Sequence, residues 1–294
     1  MRASIHTHTK FCDGRDDVET MCRAAFEKGL DAIGFSSHAS TGKSGLQTSW
    51  NIKHECVSEY IDEVLAARNR WEGKIKVFLG FEVDYISGLR SARDEDMTSF
   101  VRDGTVDYLI GSVHYIVPPG GSPWDGLSAA DGSMEEIQKI VQAAFGGSGE
   151  ALMNAYWDAV LEMVNTGGFD IVGHLDLVKK SNGKAGWFNE QSREYLQRAE
   201  DAAIAIARSG LVAEVNTGGM NRGYLSETFP SLSILRFLCR YKVPVMISAD
   251  AHRCEHLDGH YEDARRFLRE AGFSSHVVFS GRSGGKPNWY EESL

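Results

Sequence analysis

The chain has 294 residues, of which 42% are hydrophobic and 24% charged, and its formal net charge is −10. This composition is ordinary for a soluble globular enzyme, and the negative charge disfavours a nucleic-acid backbone or an anionic lipid surface as partner. Because no low-complexity linker divides the chain and barrels of this length fold as one unit, we predict a single domain over residues 1–294.

The cysteines and the apolar segments bear on the cellular compartment. The five cysteines form no CxxC pair, and their odd number and scattered spacing are typical of reduced thiols. The sequence has neither a run of eighteen apolar residues nor an apolar segment of the kind that follows the start of a secretion signal. We therefore predict a cytoplasmic protein that binds neither membrane nor nucleic acid, and the sequence leaves its oligomeric state open.

Apolar and β-branched runs alternate with helical patterns along the chain. The predicted strands are residues 2–6, 32–37, 75–83, 106–113, 169–173, 211–215, 243–248 and 277–280. The predicted helices are residues 18–28, 53–72, 134–144, 150–165, 189–209, 232–241 and 260–271. This alternation predicts an α/β fold with a parallel sheet, and seven or eight such units favour a closed, TIM-barrel-like structure.

Side chains that can bind metal recur at or just after the ends of the predicted strands. They are His6, His8, His38, Glu82, His114, His174, Asp250 and His252, and Asp13 lies in the loop after the first strand. Six of the ten histidines therefore occupy one topological position. Because the carboxyl ends of parallel strands meet on one face of the fold, we expect these nine side chains to lie together.

The size and chemistry of this set predict more than one metal ion. One ion needs three or four protein ligands, so nine imidazole and carboxylate groups predict two or three divalent ions. A set without paired thiolates suits Zn, Mn or Fe. Such ions acidify water at neutral pH and hold phosphate oxygens, which favours an anionic substrate. Cys12, beside Asp13, either faces the site or is a small buried thiol.

Two later segments carry polar groups that suit an anionic substrate. Lys179 and Lys180 follow His174, and Asn216 and Arg222 follow the next strand. A guanidinium matches two phosphate oxygens at once, so we expect Arg222 to be the anion clamp and one of the two lysines to add a point charge. The alternative for each cation is a solvated position on a loop.

Eight segments carry these residues in a characteristic order. They are HTHTKFCDG, EKGLDAIGFSSHAS, GFEVDY, DYLIGSVHYI, DGSMEE, FDIVGHLDLVKK, AEVNTGGMNRG and PVMISADAH. Together, from residue 1 to about residue 253, they resemble the polymerase and histidinol phosphatase (PHP) family, in its branch of histidinol-phosphate phosphatases. The resemblance implies a distorted (β/α)7 barrel with a trinuclear metal centre that hydrolyses L-histidinol phosphate, a small phosphorylated substrate, in histidine biosynthesis.

The resemblance also implies roles for individual residues. It assigns the metal ligands to His6, His8, Asp13, His38, Glu82, His114, His174, Asp250 and His252. Arg222 and either Lys179 or Lys180 fall where this branch binds the substrate phosphate, although an arginine is expected near the first of these lysines. We assign catalytic roles to Asp250, His252 and Arg222, and Asp250 is one candidate for protonating the leaving group.

The segment 112–132 lies where the resemblance places specificity for the rest of the substrate. Tyr115 or Trp124 would stack on an imidazole, and Asp131 would pair with an ammonium group. The alternatives are a packed aromatic side chain and, for Asp131, the N-cap of the helix that begins with SMEE.

Other functions stay open at this point. The substrate could be another small phosphate ester or a nucleotide. An amidohydrolase also begins with an HxH strand and could draw its ligands from His6, His8, His114, His174 and Asp250, although Glu82 and His252 fit that class less well. A metal-bearing accessory module without catalytic activity is the third alternative.

Overall fold

A barrel of seven parallel strands forms the centre of the computed structural model, which describes residues 1–40, 48–89, 104–122 and 128–294. The strands of the described residues, including four outside the barrel, are β1 (Ala3–Ser4), β2 (Ala32–Phe35), β3 (Lys76–Asp84), β4 (Tyr108–Ser112), β5 (Tyr115–Ile116), β6 (Ser128–Ala129), β7 (Ile171–Val172), β8 (Val212–Asn216), β9 (Val245–Ser248), β10 (Ser275–Ser283) and β11 (Lys286–Ser293). The order in the seven-stranded sheet is β1-β2-β3-β4-β7-β8-β9. This confirms the predicted α/β barrel.

The ring of strands closes just beyond its first and last members. Thr7 and Ala251 form a parallel bridge, and the His8 N–H donates to the Ala251 carbonyl at 2.9 Å. In return, the Ala251 N–H donates to the His6 carbonyl at 3.0 Å. The segments that carry the first and the last predicted metal ligands are therefore hydrogen-bonded to each other.

Helices connect the strands and cover the outside of the barrel. They are α1 (Val18–Glu27), α2 (Val57–Arg70), α3 (Met134–Ala144), α4 (Gly149–Thr166), α5 (Asn182–Ala185), α6 (Arg193–Ser209), α7 (Gly218–Asn221), α8 (Leu232–Arg240) and α9 (Tyr261–Ala271). Ser133 and Glu136 form a reciprocal capping box at the start of α3, so Ser133, and not Asp131, is its N-cap. Within the described ranges, no helix combines the length and the apolar character that crossing a membrane requires.

Side chains along each strand alternate between the barrel interior and the outer face, which the helices cover. On β3, Phe78 belongs to the apolar cluster inside the barrel, whereas Leu79 belongs to the core beneath the helices. The Tyr108 ring fills the interior against Gly80, where a Cβ would lie only 2.5 Å from that ring. Glu82, two residues after Gly80 on the same face, lies above this apolar floor at the carboxyl end of the strand.

The eighth predicted strand is not part of the barrel. β10 and β11 form an antiparallel hairpin, and Phe279 packs edge-on against Phe78 with 4.9 Å between ring centroids. Because Phe78 lies near the start of β3, the hairpin covers the end of the barrel opposite to Glu82. Residues 281–290, which the glycine-rich sequence suggests to be a surface loop, form the end of β10, the turn and the first part of β11.

Candidate metal centre

The structure brings all nine predicted ligands together at the carboxyl end of the barrel. Three groups of donor atoms, each within 4.8 Å of one another, are His8 with Asp13, His38 and His252; His6 with His8 and Asp250; and His38 with Glu82 and His114. His174 joins the third group, because its Nε2 lies 2.9 Å from Glu82 Oε1 and 3.2 Å from His114 Nε2. The nine side chains thus form one continuous cluster.

Two further carboxylates fix the orientation of the imidazoles. Glu214, buried on β8, accepts a hydrogen bond from His6 Nδ1 at 2.5 Å, and Asp84 accepts one from His114 Nδ1 at 2.5 Å. Each bond places the ring proton on Nδ1 and leaves the Nε2 lone pair directed toward the cluster. Glu214 also accepts the backbone N–H of His174 at 2.8 Å.

The sequence analysis misses these two carboxylates. An acidic residue inside an apolar strand is rarely buried without a partner, so AEVN and GFEVD each contain a signal for them. Glu214 lies two residues before Asn216, and Asp84 lies two residues after Glu82, on the same strand faces. The alternation of side chains along a strand therefore places both beside the cluster.

The donor atoms of the cluster fit divalent metal ions. Burial, together with the nearby His252 and His38 rings, lowers the pKa of His8 to about 3, so this imidazole stays neutral. Its Nε2 is buried without a hydrogen-bond partner and lies 3.2 Å from Asp250 Oδ1. With its proton on Nδ1, His8 would direct the Nε2 lone pair at this carboxylate, and a divalent ion could bind both groups. Imidazole nitrogens mixed with carboxylate oxygens suit Zn, Mn or Fe.

Protons and metal ions compete for this cluster. Burial lowers the pKa of His6, but Glu214, Glu82 and Asp250 outweigh this effect and raise its pKa well above the ordinary value. A metal ion must displace that proton before it can bind the imidazole, so the affinity of the cluster for metal decreases as the pH falls.

Arg222 links the cluster to the solvent-facing side. It donates from Nη2 to Asp250 Oδ2 at 2.9 Å, and its Nη1 lies 3.1 Å from His252 Nδ1. Burial raises the pKa of Asp250, but Arg222 and His6 outweigh burial and hold this pKa well below the ordinary value. Asp250 also has a φ of 48°, a left-handed conformation whose cost is typical of functional sites. Its carboxylate is therefore held ionised in one defined position.

Comparison with known proteins identifies the family of this chain. The PHP domain family matches residues 4–218, which is well over half of the sequence. The chain belongs to the PHP domain family. This result agrees with the resemblance of the eight sequence segments and with the cluster of ligands at the carboxyl end of the barrel.

Relatives of this PHP domain match most of its length. The "Probable histidinol-phosphatase" of Deinococcus radiodurans is 27% identical over 268 residues, which cover 91% of this chain and 92% of the relative. The histidinol-phosphatase of Bacillus subtilis is 25% identical over 272 residues, which cover 87% and 96%. A crystal structure of histidinol phosphate phosphatase from Lactococcus lactis, complexed with zinc, L-histidinol and phosphate, has a TM-score of 0.67 and 20% identity over 98% of both chains. This last likeness concerns the fold.

A cavity of about 430 Å³ lies over the ligand cluster of the PHP domain. Its wall includes Arg222 and Lys180, and the latter donates from Nζ to Asp131 Oδ2 at 3.1 Å. Tyr224 contacts both cations, with its ring centroid 5.1 Å from Lys180 Nζ and 6.0 Å from Arg222 Cζ. Arg222, Lys180 and Asp131 therefore all lie at the cavity where the sequence predicts substrate contacts.

The structure corrects the prediction that Lys179 could bind substrate. Its ammonium group is buried, and it pairs with Asp176 Oδ2 and Glu227 Oε1 at 3.0 Å each. It also donates to the Thr228 carbonyl at 2.9 Å, and the side chain does not line the cavity above the cluster. Of the two adjacent lysines, only Lys180 contributes to that cavity.

Exchange of the two lysines for methionine should separate their roles. We expect Lys179→Met to lower the free energy of unfolding by about 3 kcal/mol, because it leaves the buried Asp176 without its partner. We expect Lys180→Met to cost less than about 1 kcal/mol, because its ion pair is partly exposed. Urea unfolding measures the change in stability of each variant, and the KM for a phosphate ester measures the effect on the substrate cavity.

A double variant controls for simple loss of packing at Lys179. Adding Asp176→Asn to Lys179→Met removes the unpaired charge and should recover part of the stability. An increased KM for the single Lys179→Met variant with unchanged stability would contradict the structural role.

The remaining substrate predictions change in the structure. Asn216 is buried and does not line the cavity; instead, it donates to Glu214 Oε2 at 3.0 Å. Tyr115 is also buried, and it stacks against Trp50 with 5.5 Å between ring centroids. Trp50, which the sequence analysis misses, is the member of this pair that lines the cavity. Trp124 lies outside the described residues.

The carboxylate behind His6 provides a test of the cluster. We expect Glu214→Gln to weaken metal affinity by about 10- to 100-fold, because the His6 ring loses the acceptor that fixes its proton on Nδ1. Titration of metal-free protein with Zn²⁺ against a chromophoric chelator measures this change. Asp84→Asn should act in the same way through His114, and unchanged affinity in both variants would contradict the assignment.

Proposed function

We propose that this PHP domain is a metal-dependent phosphomonoesterase that hydrolyses L-histidinol phosphate to L-histidinol and phosphate, with residues 1–294 acting as one domain. The observation that carries this proposal is the cluster of nine convergent donors beside the Arg222 guanidinium. It is supported by two curated relatives named as histidinol-phosphatases, which match about nine tenths of the chain.

We propose that the nine clustered residues hold two or three divalent ions, with zinc as the first candidate. Three groups of donor atoms within the cluster support this number, and the zinc in the Lactococcus lactis structure supports this identity. When bound, such ions acidify water and neutralise the charge on phosphate oxygens. Glu82, which lies between several of the imidazoles, is the carboxylate best placed to be shared between ions.

Arg222 would orient the phosphate group. Its guanidinium is already held by the Asp250 carboxylate, so little conformational entropy is lost when it also binds the phosphate group. Because Asp250 keeps its own pKa well below the ordinary value, it suits the role of a ligand better than that of the acid that protonates the leaving group. Lys180 adds a second positive charge on the same cavity wall.

Acidic and aromatic side chains of the cavity would bind the rest of the substrate. Burial raises the pKa of Asp131, but Lys180 and His114 outweigh burial and lower it, so the carboxylate is ionised and can pair with an ammonium group. Trp50 offers an indole face at the same cavity, and its stack on Tyr115 holds that face in place. We therefore transfer the proposed imidazole contact from Tyr115 to Trp50.

Phosphate release from L-histidinol phosphate and from nucleoside monophosphates, at equal concentrations and saturating metal, tests the substrate assignment. We expect kcat/KM to be at least about tenfold higher for histidinol phosphate, because one charged hydrogen bond to Asp131 contributes roughly that factor. Asp131→Asn should reduce this preference. Equal or better hydrolysis of nucleotides would contradict the substrate, and activity only on lactones or amides would favour an amidohydrolase.

A further inference from the structure

A second cavity, of about 460 Å³, adjoins the one above the ligand cluster. The two cavities share four lining residues, which are Asp13, Arg222, Tyr224 and His252. Beyond them, the second cavity is lined by Arg15, Arg253, Asn221 and His256, and we name it the arginine cavity. The proposed function gives this space no role.

The arginine cavity carries an excess of positive charge. Three guanidinium groups, those of Arg15, Arg222 and Arg253, line it together with one carboxylate, that of Asp13. Arg222 already pairs with Asp250, so the excess comes from Arg15 and Arg253. Asp13 is also one of the proposed metal ligands, and a bound ion would neutralise its charge. Such a concentration of arginine is notable in a chain with a formal net charge of −10.

The Arg15 and Arg253 side chains remain available for a ligand, although the backbone around them is fixed. The Arg15 N–H donates to the His252 carbonyl at 2.8 Å, and the Cys254 N–H donates to Asp16 Oδ2 at 2.8 Å. These bonds hold the loops after β1 and β9 side by side. Among the described residues, neither Arg15 nor Arg253 has an acidic partner within ion-pair distance, and Arg222 Nε is buried without a hydrogen-bond partner.

We propose that the arginine cavity binds a second tetrahedral oxyanion of the phosphate type beside the metal centre. Guanidinium groups bind such oxyanions through paired hydrogen bonds, and Arg15 and Arg253 lie beside Arg222 in addition to the one guanidinium that the phosphoryl group at the ligand cluster would use. This inference goes beyond histidinol phosphate, whose one phosphoryl group would lie at the cluster and whose ammonium group would be repelled by arginine. The second oxyanion is either free inorganic phosphate or a second phosphoryl group of the substrate.

Calorimetric titration of the metal-loaded protein with inorganic phosphate tests the site without turnover. We expect two phosphate sites in the unchanged protein and the loss of one in Arg15→Gln/Arg253→Gln, because each lost charged hydrogen bond weakens binding about tenfold. Arg15→Lys/Arg253→Lys should retain intermediate affinity. Arg23→Gln, an exposed position of α1 that does not line either cavity, is the matched control.

A pair of simple esters distinguishes the two sources of the oxyanion. The ratio of kcat/KM for 1,3-propanediol bisphosphate to that for the monophosphate should fall at least about tenfold in Arg15→Gln/Arg253→Gln if a second phosphoryl group is bound. If free phosphate is the ligand, this ratio stays constant and the inhibition constant of inorganic phosphate rises by the same factor.

Two results would overturn the proposal. One is a single phosphate site in the unchanged protein, and the other is a double glutamine variant that matches Arg23→Gln in phosphate binding, inhibition and substrate ratio. Failure to hydrolyse histidinol phosphate would contradict the proposed function but not the arginine cavity. The phosphate titration still measures binding in that cavity, because it does not depend on turnover.

Discussion

Removal of divalent metal with a chelator is expected to abolish phosphate ester hydrolysis by this protein, and addition of Zn²⁺ or Mn²⁺ to restore it. The buried His8 Nε2 and the Asp250 carboxylate face each other at 3.2 Å, and a metal ion bound by both would use the imidazole lone pair and balance the carboxylate charge. Without metal, Arg222 and Lys180 on the cavity wall, each paired with a carboxylate, provide less charge to balance a phosphate group. Initial rates before and after dialysis against chelator, with elemental analysis of each sample, measure the effect.

Thermal unfolding gives a second measure that does not depend on turnover. A ligand present at about 100 times its Kd stabilises the folded state by about 2.7 kcal/mol, so metal removal should lower the Tm. Full activity in a preparation that elemental analysis shows to be metal-free would contradict the metal assignment, as would a Tm that does not respond to added metal.

Replacement of Glu82 by glutamine is expected to lower kcat/KM by about 10³-fold and to reduce the number of bound ions. Glu82 Oε2 lies 3.3 Å from His6 Nε2 and 3.1 Å from His38 Nδ1, and Oε1 lies 2.9 Å from His174 Nε2. Glutamine keeps the shape of this side chain but loses its charge, and it replaces one carboxylate oxygen with an NH₂ group that has no lone pair available for metal. Steady-state kinetics and metal analysis measure both changes.

The control for this variant is Glu135→Gln at an exposed position of α3, where the side chain is 80% exposed. It makes the same chemical change far from the barrel interior, and its activity and metal content should match those of the unchanged protein. A Glu82→Gln variant that keeps its full complement of ions and its activity would contradict the central position of Glu82 in the cluster.

The barrel and its cluster follow from local sequence because each candidate ligand is tied to the end of one strand. The two-residue period of a strand places His6 and His8 on one face, and the common direction of parallel strands then brings Glu82 and His174 to the same end. No contact between distant segments has to be known for this step. For this reason the sequence alone predicts the convergence that the structure shows.

Other features depend on contacts that no local pattern contains. Lys179 and Lys180 are neighbours of the same type, and Lys179 is the one whose ammonium group contacts Glu227, 48 residues further along the chain, as well as the nearby Asp176. Trp50 lies outside any helix or strand, so no periodicity points to its position at the cavity. β10 resembles a barrel strand in composition. Only its pairing with β11, and not with a strand of the barrel, shows that it belongs to a hairpin.

Because the barrel closes through Thr7 and Ala251, metal ions can bind the complete set of ligands only late in the synthesis of the polypeptide. Asp13 Oδ2 and His252 Nε2 meet at 3.2 Å across a separation of 239 residues. A nascent chain on the ribosome therefore cannot offer a complete set of donors until nearly all of the barrel has emerged. Bound ions would then link the two ends of the ring of strands and oppose the dissociation of β1, its short first strand.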